Sequence, residues 1–98
     1  MNEYKKYFES IVEQLNANDV SVLSYLYKQN ATDSIHSIKT LEITDHLQIS
    51  RSGCSRIINR LIACNLVKMV GNARNLGIYL TPFGCTALDI RTNGEMTI

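Results

Sequence analysis

Between Ile49 and Val67, "ISRSGCSRIINRLIACNLV", the chain sets out side chains with a clear chemical use: Arg51, Ser52, Ser55, Arg56, Asn59 and Arg60. A guanidinium forks onto the O6 and N7 of guanine or onto a phosphate. The carboxamide of Asn59 pairs with the edge of adenine, and the hydroxyls of Ser52 and Ser55 bond either phosphate or base. Ser50 stands before them as a helix cap, and the free N–H groups behind it carry a partial positive charge that suits a phosphate. The stretch holds no acid. A merely solvated helix face usually mixes signs, with Glu and Lys four residues apart. An uncompensated basic face therefore points to a polyanion.

The same segment has a second face. Cys54, Ile57, Ile58, Leu61 and Ile62 recur at helical spacing and form a stripe to be buried. At about 100° per residue, burying that stripe turns Ser52, Ser55, Arg56, Asn59 and Arg60 outward, with Arg51 at the margin of the first turn. A helix apolar on one side and basic on the other matches the width of a DNA major groove.

Other chemistries find less support. His36, His46 and the three cysteines, Cys54, Cys64 and Cys85, have no compact ligand spacing, and Cys54 belongs to the apolar stripe. They read as reduced thiols of a cytosolic protein, with no metal and no cofactor. No G-x-S-x-G, H-E-x-x-H or P-loop occurs, and Asp33, Ser34 and His36 fall in a polar loop, so an enzyme is not expected. No apolar run is long enough to span a membrane, and "MNEYKKYFES" lacks the apolar core of a signal peptide.

Charge is divided along the chain. Residues 1–45 carry four Lys and seven Asp or Glu, a net of −3, while residues 46–88 carry Arg51, Arg56, Arg60, Lys68 and Arg74 without an acid, a net of +5. The total of +1 conceals an acidic half and a basic half.

The elements that would hold the basic face follow from periodicity and caps. Residues 2–15 read as an amphipathic helix with Tyr4, Tyr7, Phe8, Ile11, Val12 and Leu15 on one side. Asp19 is read as the cap of a second helix with Val20, Leu23, Leu26 and Tyr27 inward and a fraying end at Lys28-Gln29-Asn30. "ATDSIHSI" is a polar loop ending in a very short strand, and Thr40–Leu47 a short third helix. After a tight turn at Gln48-Ile49, Ser50 opens the basic helix and Asn65 stops it in a left-handed conformation. "LVKMV" and "GIYL" read as two strands of a hairpin with "GNARN" at its tip. Lys68 on the hairpin suits the DNA backbone, Arg74 a minor groove, and Asn72 and Asn75 a phosphate. Thr81 then caps a last helix that starts at Pro82, with Phe83, Ala87, Leu88 and Ile90 apolar.

Two helices joined by a tight turn and followed by a two-stranded wing make a winged helix-turn-helix. The fold expected is mainly α with a small β hairpin, as one domain over residues 1–91 and a loose tail over 92–98. Tyr4, Tyr7 and Phe8 bring more aromatic bulk than one small domain needs at its edge. With Ile11 and Leu15 they are assigned to a homodimer contact, and two-fold symmetry would match paired DNA half-sites.

The segment "ITDHLQISRSGCSRIINRLIACNLV" resembles the helix-turn-helix of MarR-like winged-helix regulators, and "IYLTPFG" resembles their return strand and helix restart. The order of elements, with "LNANDVSVLSYLYKQN" after the first helix and a wing closed by "IYLTPFG", is also similar to the TubR family of plasmid-borne partition adaptors. The first resemblance implies a dimeric transcriptional repressor on double-stranded DNA. The second implies a dimer that binds repeated centromere sites, represses its own operon and recruits a filament-forming tubulin-like GTPase. In that family the paired recognition helices present their N-terminal ends to one groove, which would give Arg51, Ser52 and Ser55 more weight than Asn59 and Arg60. A reading of another class is a protein-docking winged helix whose basic face meets an acidic partner.

Overall fold

The apolar stripe of the basic helix lies at the centre of the fold. The computed structural model describes the backbone of residues 2–71 and 76–96 and the side chains of residues 6–71 and 76–92. In chain order the elements are α1 (Asn2–Gln14), α2 (Ala17–Lys28), β1 (Ile38–Lys39), α3 (Thr40–Leu47), α4 (Arg51–Ala63), β2 (Val67–Val70), β3 (Gly77–Leu80) and α5 (Pro82–Met96). Cys54, Ile57, Ile58 and Leu61 of α4 are buried. They share one core with Val22, Leu23 and Leu26 of α2, Ile43 of α3, and Leu66, Val67, Ile78 and Leu80 around the sheet. Each buried aliphatic side chain of this kind contributes about 1.5–3 kcal/mol.

The wing is the hairpin of β2 and β3 with one more strand. β2 pairs with β3 antiparallel from Val67↔Leu80 to Val70↔Gly77, and β1 adds to the other edge through Ile38↔Ile78 and Lys39↔Gly77. The order β1-β3-β2 makes β3 the central strand, and its alternate residues Ile78 and Leu80 are both buried. Leu80 donates its N–H to the Ala31 carbonyl at 2.7 Å, which ties the loop after α2 to the end of β3.

Left-handed asparagines end two of the helices. After α4, Asn65 takes φ 62°, its N–H donates to the Ile62 carbonyl at 2.9 Å, and Leu66 N–H donates to the Leu61 carbonyl at 2.9 Å. That is the six-to-one and five-to-two pairing of a Schellman stop, with buried Leu61 and Leu66 as its apolar contact. Asn30 repeats it after α2 with φ 58°, through Asn30 N–H to Tyr27 and Ala31 N–H to Leu26. The end of α2 is therefore a fixed stop, not the fraying end expected from Lys28-Gln29-Asn30. Between α3 and α4, Gln48 adopts φ 55° where a glycine would be unstrained.

Several sequence expectations need correction. The cap of α2 is Asn16, not Asp19: Asn16 Oδ1 accepts the Asp19 N–H at 2.9 Å, and Asp19 Oδ2 accepts the Asn16 N–H at 3.0 Å. This is a reciprocal capping box, and it moves the helix start three residues earlier. Within α2 the inward positions are Val22, Leu23 and Leu26, while Tyr27 is 57% exposed. α5 runs from Pro82 to Met96, past residue 92 where the loose tail was expected to begin. Thr, Asn and Gly there each lower helix propensity by about 1 kcal/mol or less, yet the helix begun by a strong cap runs through them. That cap is Thr81, whose Oγ1 accepts the Gly84 N–H at 3.0 Å ahead of Pro82. In α5 only Ala87 and Leu88 of the expected apolar set are buried, and Phe83 and Ile90 are exposed.

Arg91 near the end of α5 holds α1 in place. Its Nη1 donates to the carbonyls of Val12 at 3.0 Å and Leu15 at 2.7 Å where α1 ends, and the Val12 carbonyl also accepts the Leu15 N–H at 3.3 Å.

Candidate nucleic-acid interface

The first turn of α4 is built by Ser50. Its backbone is extended, its Oγ accepts the Gly53 N–H at 3.0 Å, and its carbonyl accepts the Cys54 N–H at 2.9 Å. Ser50 Oγ also lies 3.4 Å from Ser52 Oγ, so two hydroxyls stand together at the helix start. The turn contains no acid to neutralise the positive end of the helix.

With the stripe buried, Arg51, Ser52, Ser55, Arg56, Asn59 and Arg60 are all exposed, as is Lys68 on β2. Arg51, Arg56 and Lys68 form no ion pair among the described residues. Arg60 differs. Its Nη2 donates to Asp19 Oδ1 at 2.5 Å, and the Asp19 side chain is only 2% exposed. The face expected to be uniformly free is thus divided: Arg60, at its α2 margin, is held by the fold.

On the opposite margin α4 borders a groove of about 200 Å³. It brings Arg51, Ser55 and Asn59 together with Leu41 and Thr44 of α3, Met69 of β2, and Leu76. Leu41 and Met69 are exposed apolar side chains, of the kind that meets a thymine methyl. Periodicity does not single them out, because Leu41 and Met69 fall off the buried side of short elements. Asn72, Arg74 and Asn75, assigned to the wing tip, lie outside the described residues.

The residues assigned to a dimer contact separate into two groups. Tyr7 is 69% exposed, and Phe8 and Ile11 are half-buried beside it. They border a pocket completed by Ala63, Cys64, Asn65 and Phe83, with the Phe8 and Phe83 rings 6.1 Å apart. Phe83, from the apolar side of α5, belongs to this patch. Leu15 does not, being 6% exposed in the core of its own chain. The side chain of Tyr4 lies outside the described residues.

A smaller polar cluster ties α2 to α3. Tyr25 donates its hydroxyl to Glu42 Oε2 at 2.7 Å and stacks on His46 with ring centroids 4.1 Å apart. The hydrogen bond to the carboxylate, then burial and the nearby negative charge, hold the Tyr25 phenol above its usual range. Among the described residues no three His, Cys, Asp or Glu side chains converge on a metal position, and no helix is long and apolar enough to cross a membrane.

Comparison with known proteins places the fold. No protein-family model matches the chain. Over 82 residues, covering 84% of the chain and 81% of the relative, it is 30% identical to the DNA-binding protein TubR of Priestia megaterium. The chain belongs to the TubR family. The solved structure of TubR from Bacillus megaterium pBM400 superposes with a TM-score of 0.81 over 86% of this chain and 93% of that one, at 30% identity. The MepR–DNA complex of S. aureus matches with a TM-score of 0.73 over 98% of this chain and 80% of that one, at 22% identity. YusO of Bacillus subtilis reaches 0.76 over 92% and 62%, at 23% identity. At those two identities the likeness is one of fold. The helix order and three-stranded antiparallel sheet are the winged helix that TubR shares with MarR-like proteins.

Proposed function

We propose that this TubR-family chain binds duplex DNA as a homodimer in the cytoplasm. As a centromere-binding adaptor of a plasmid partition system, it would also repress transcription of its own operon. One observation carries the proposal. The capped, acid-free start of α4 exposes Ser50, Arg51, Ser52, Ser55 and Arg56, with neither arginine in an ion pair among the described residues. The relative at 30% identity is itself a DNA-binding protein. Asn59 and the groove beside it would extend the contact toward the wing, Lys68 would meet the backbone, and Arg74 with Asn72 and Asn75 would reach the adjacent groove.

Of the residues assigned to the homodimer contact, Tyr7, Phe8 and Ile11 would form its face, together with the neighbouring Phe83. The adaptor reading adds a second partner, a filament-forming tubulin-like GTPase. The plain transcriptional repressor differs from it in lacking that partner and in not coating repeated sites.

The test is a fluorescence anisotropy titration of labelled duplexes from the DNA beside the protein's own gene, against random duplexes of equal length. Sedimentation of the free protein and of the complex gives the stoichiometry. Preferential, salt-sensitive binding in multiples of two chains is expected. Cooperative filling of repeated sites, and co-sedimentation of the complex with a tubulin-like GTPase encoded beside it, are expected of the adaptor. Absence of duplex binding at low salt, with capture of an acidic protein instead, would replace this reading by a protein-docking module.

A further inference from the structure

Arg60 and Asp19 are 41 residues apart in sequence, and their ion pair joins the last turn of α4 to the first turn of α2. Both oxygens of the carboxylate are occupied. Oδ2 closes the capping box on Asn16, and Oδ1 accepts from the guanidinium. The Asp19 side chain is 2% exposed, so the anion has exchanged water for these two donors. Removing Arg60 would leave a buried carboxylate short of its charged partner, a costly state for any fold. Asp19 is also a fixed point, because α2 is anchored in the core by Val22, Leu23 and Leu26, each with no exposure. A guanidinium held on it fixes the far end of α4, while the near end, with Arg51, Ser52, Ser55 and Arg56, stays exposed.

We infer that Arg60 is a positioning residue of the recognition helix and not a nucleic-acid contact. The Asp19–Arg60 clamp sets the angle at which α4 stands out from the core, and it leaves DNA reading to the outward residues that precede Arg60 on that helix. This rests on the DNA-binding reading above and adds a division of labour along α4. Arg56 and Arg60, one turn apart and alike in sequence, have opposite duties: one reaches out to the duplex and one holds the helix that carries it.

The experiment compares Asp19→Asn, Arg60→Gln, the double variant, Arg60→Lys and Arg56→Ala with the wild type. It uses the full chain, well below each variant's melting temperature. Affinity for the gene-flanking duplex and for a random duplex is measured across salt concentration. The clamp predicts that Asp19→Asn and Arg60→Gln each reduce the preference for the specific duplex by about three- to tenfold, and that the double variant loses no more than either alone. Arg60→Lys, which keeps a cation in reach of Asp19, recovers most of that preference. The salt slope stays at the wild-type value in all of these, whereas Arg56→Ala, which removes a base contact, weakens the specific complex by about 5- to 150-fold.

If Arg60 were a phosphate contact, Arg60→Gln would lower the slope by about one unit. Asp19→Asn, by removing an anion beside the duplex, would then tighten binding. Either result overturns the inference, as does an unchanged preference in both single variants. Should Asp19→Asn fail to fold, Arg60→Gln and Arg60→Lys carry the same comparison. A wild type that binds no duplex removes the DNA reading and this inference with it. A wild type that binds while the variants are unaffected removes the clamp alone.

Discussion

Gly84→Ala tests how the recognition helix is joined to the rest of the fold. Gly84 stands in the first turn of α5, where that helix passes over the backbone just after α4. A methyl group there would fall well inside van der Waals contact of the Leu66 carbonyl oxygen, 2.9 Å from Leu80 Cδ2 and 3.1 Å from the Leu66 carbonyl carbon. Two of these three atoms are backbone, so no rotamer change relieves the overlap. Overpacking of this kind costs about 1–3 kcal/mol. The shift also strains the bonds that close the junction: Gly84 N–H to Thr81 Oγ1 at 3.0 Å, Thr81 Oγ1 to the Asn65 carbonyl at 2.7 Å, and Thr81 N–H to the Leu66 carbonyl at 3.1 Å. Loosening a cap costs about 1 kcal/mol. Against this, alanine gains about 1 kcal/mol of helix propensity over glycine. The net expectation is a loss of about 2 kcal/mol, which lowers the melting temperature of a domain this size by about 8–16 °C. Circular dichroism melting at fixed protein concentration, with urea midpoints at unchanged m-value, reads the effect. A melting temperature equal to or above the wild type would show that propensity outweighs the contact, and that the close approach of α5 to Leu66 is misplaced.

Other substitutions probe single elements. Gln48→Gly relieves a left-handed residue in the helix-turn-helix and should stabilise the fold by about 0.5–1 kcal/mol in urea titration; a loss would mean the glutamine side chain contributes more than its backbone strain costs. Arg91→Ala removes a charged donor from two carbonyls at the end of α1 and should cost about 1.5–3 kcal/mol by the same measurement. Tyr25 has its phenol raised by the Glu42 hydrogen bond, so the stability that bond gives is fully present below about pH 10 and is lost as pH rises through the folded-state value. The urea midpoint should therefore fall more steeply above pH 10 in the wild type than in Tyr25→Phe, and parallel curves would contradict it.

The parts of the fold governed by local rules were legible in the sequence. Ser50, Asn65 and the Thr81-Pro82 pair each carry a cap or stop whose chemistry acts within a few residues, and α4 and the start of α5 stand where those signals put them. The errors arose where two local signals competed or where the deciding partner was remote. "NAND" offers both Asn16 and Asp19 as caps, and only the reciprocal bonding of the box decides between them. The very short strand expected after the polar loop is β1, and only its pairing with Gly77 and Ile78, which makes the sheet three-stranded, lay beyond the sequence. In α5, Phe83 sits at a helical spacing that suits a core face, yet it lies on the surface beside Phe8, where only tertiary packing could place it. The arginines of α4 could be assigned to its outer face from periodicity alone. That Arg60 is bound to Asp19 could not, because nothing near either residue announces a partner 41 positions away.

The central claim is that the exposed start of α4 meets DNA, and salt-dependent titration of the gene-flanking duplex with wild type, Arg56→Ala and Lys68→Ala tests it most directly. Loss of Arg56 should weaken specific binding by about 1–3 kcal/mol and narrow the gap to random duplex. Loss of Lys68 should weaken all duplexes alike and lower the salt slope by about one unit. Wild-type affinity and slope in both variants would place the duplex elsewhere on the protein and contradict the account.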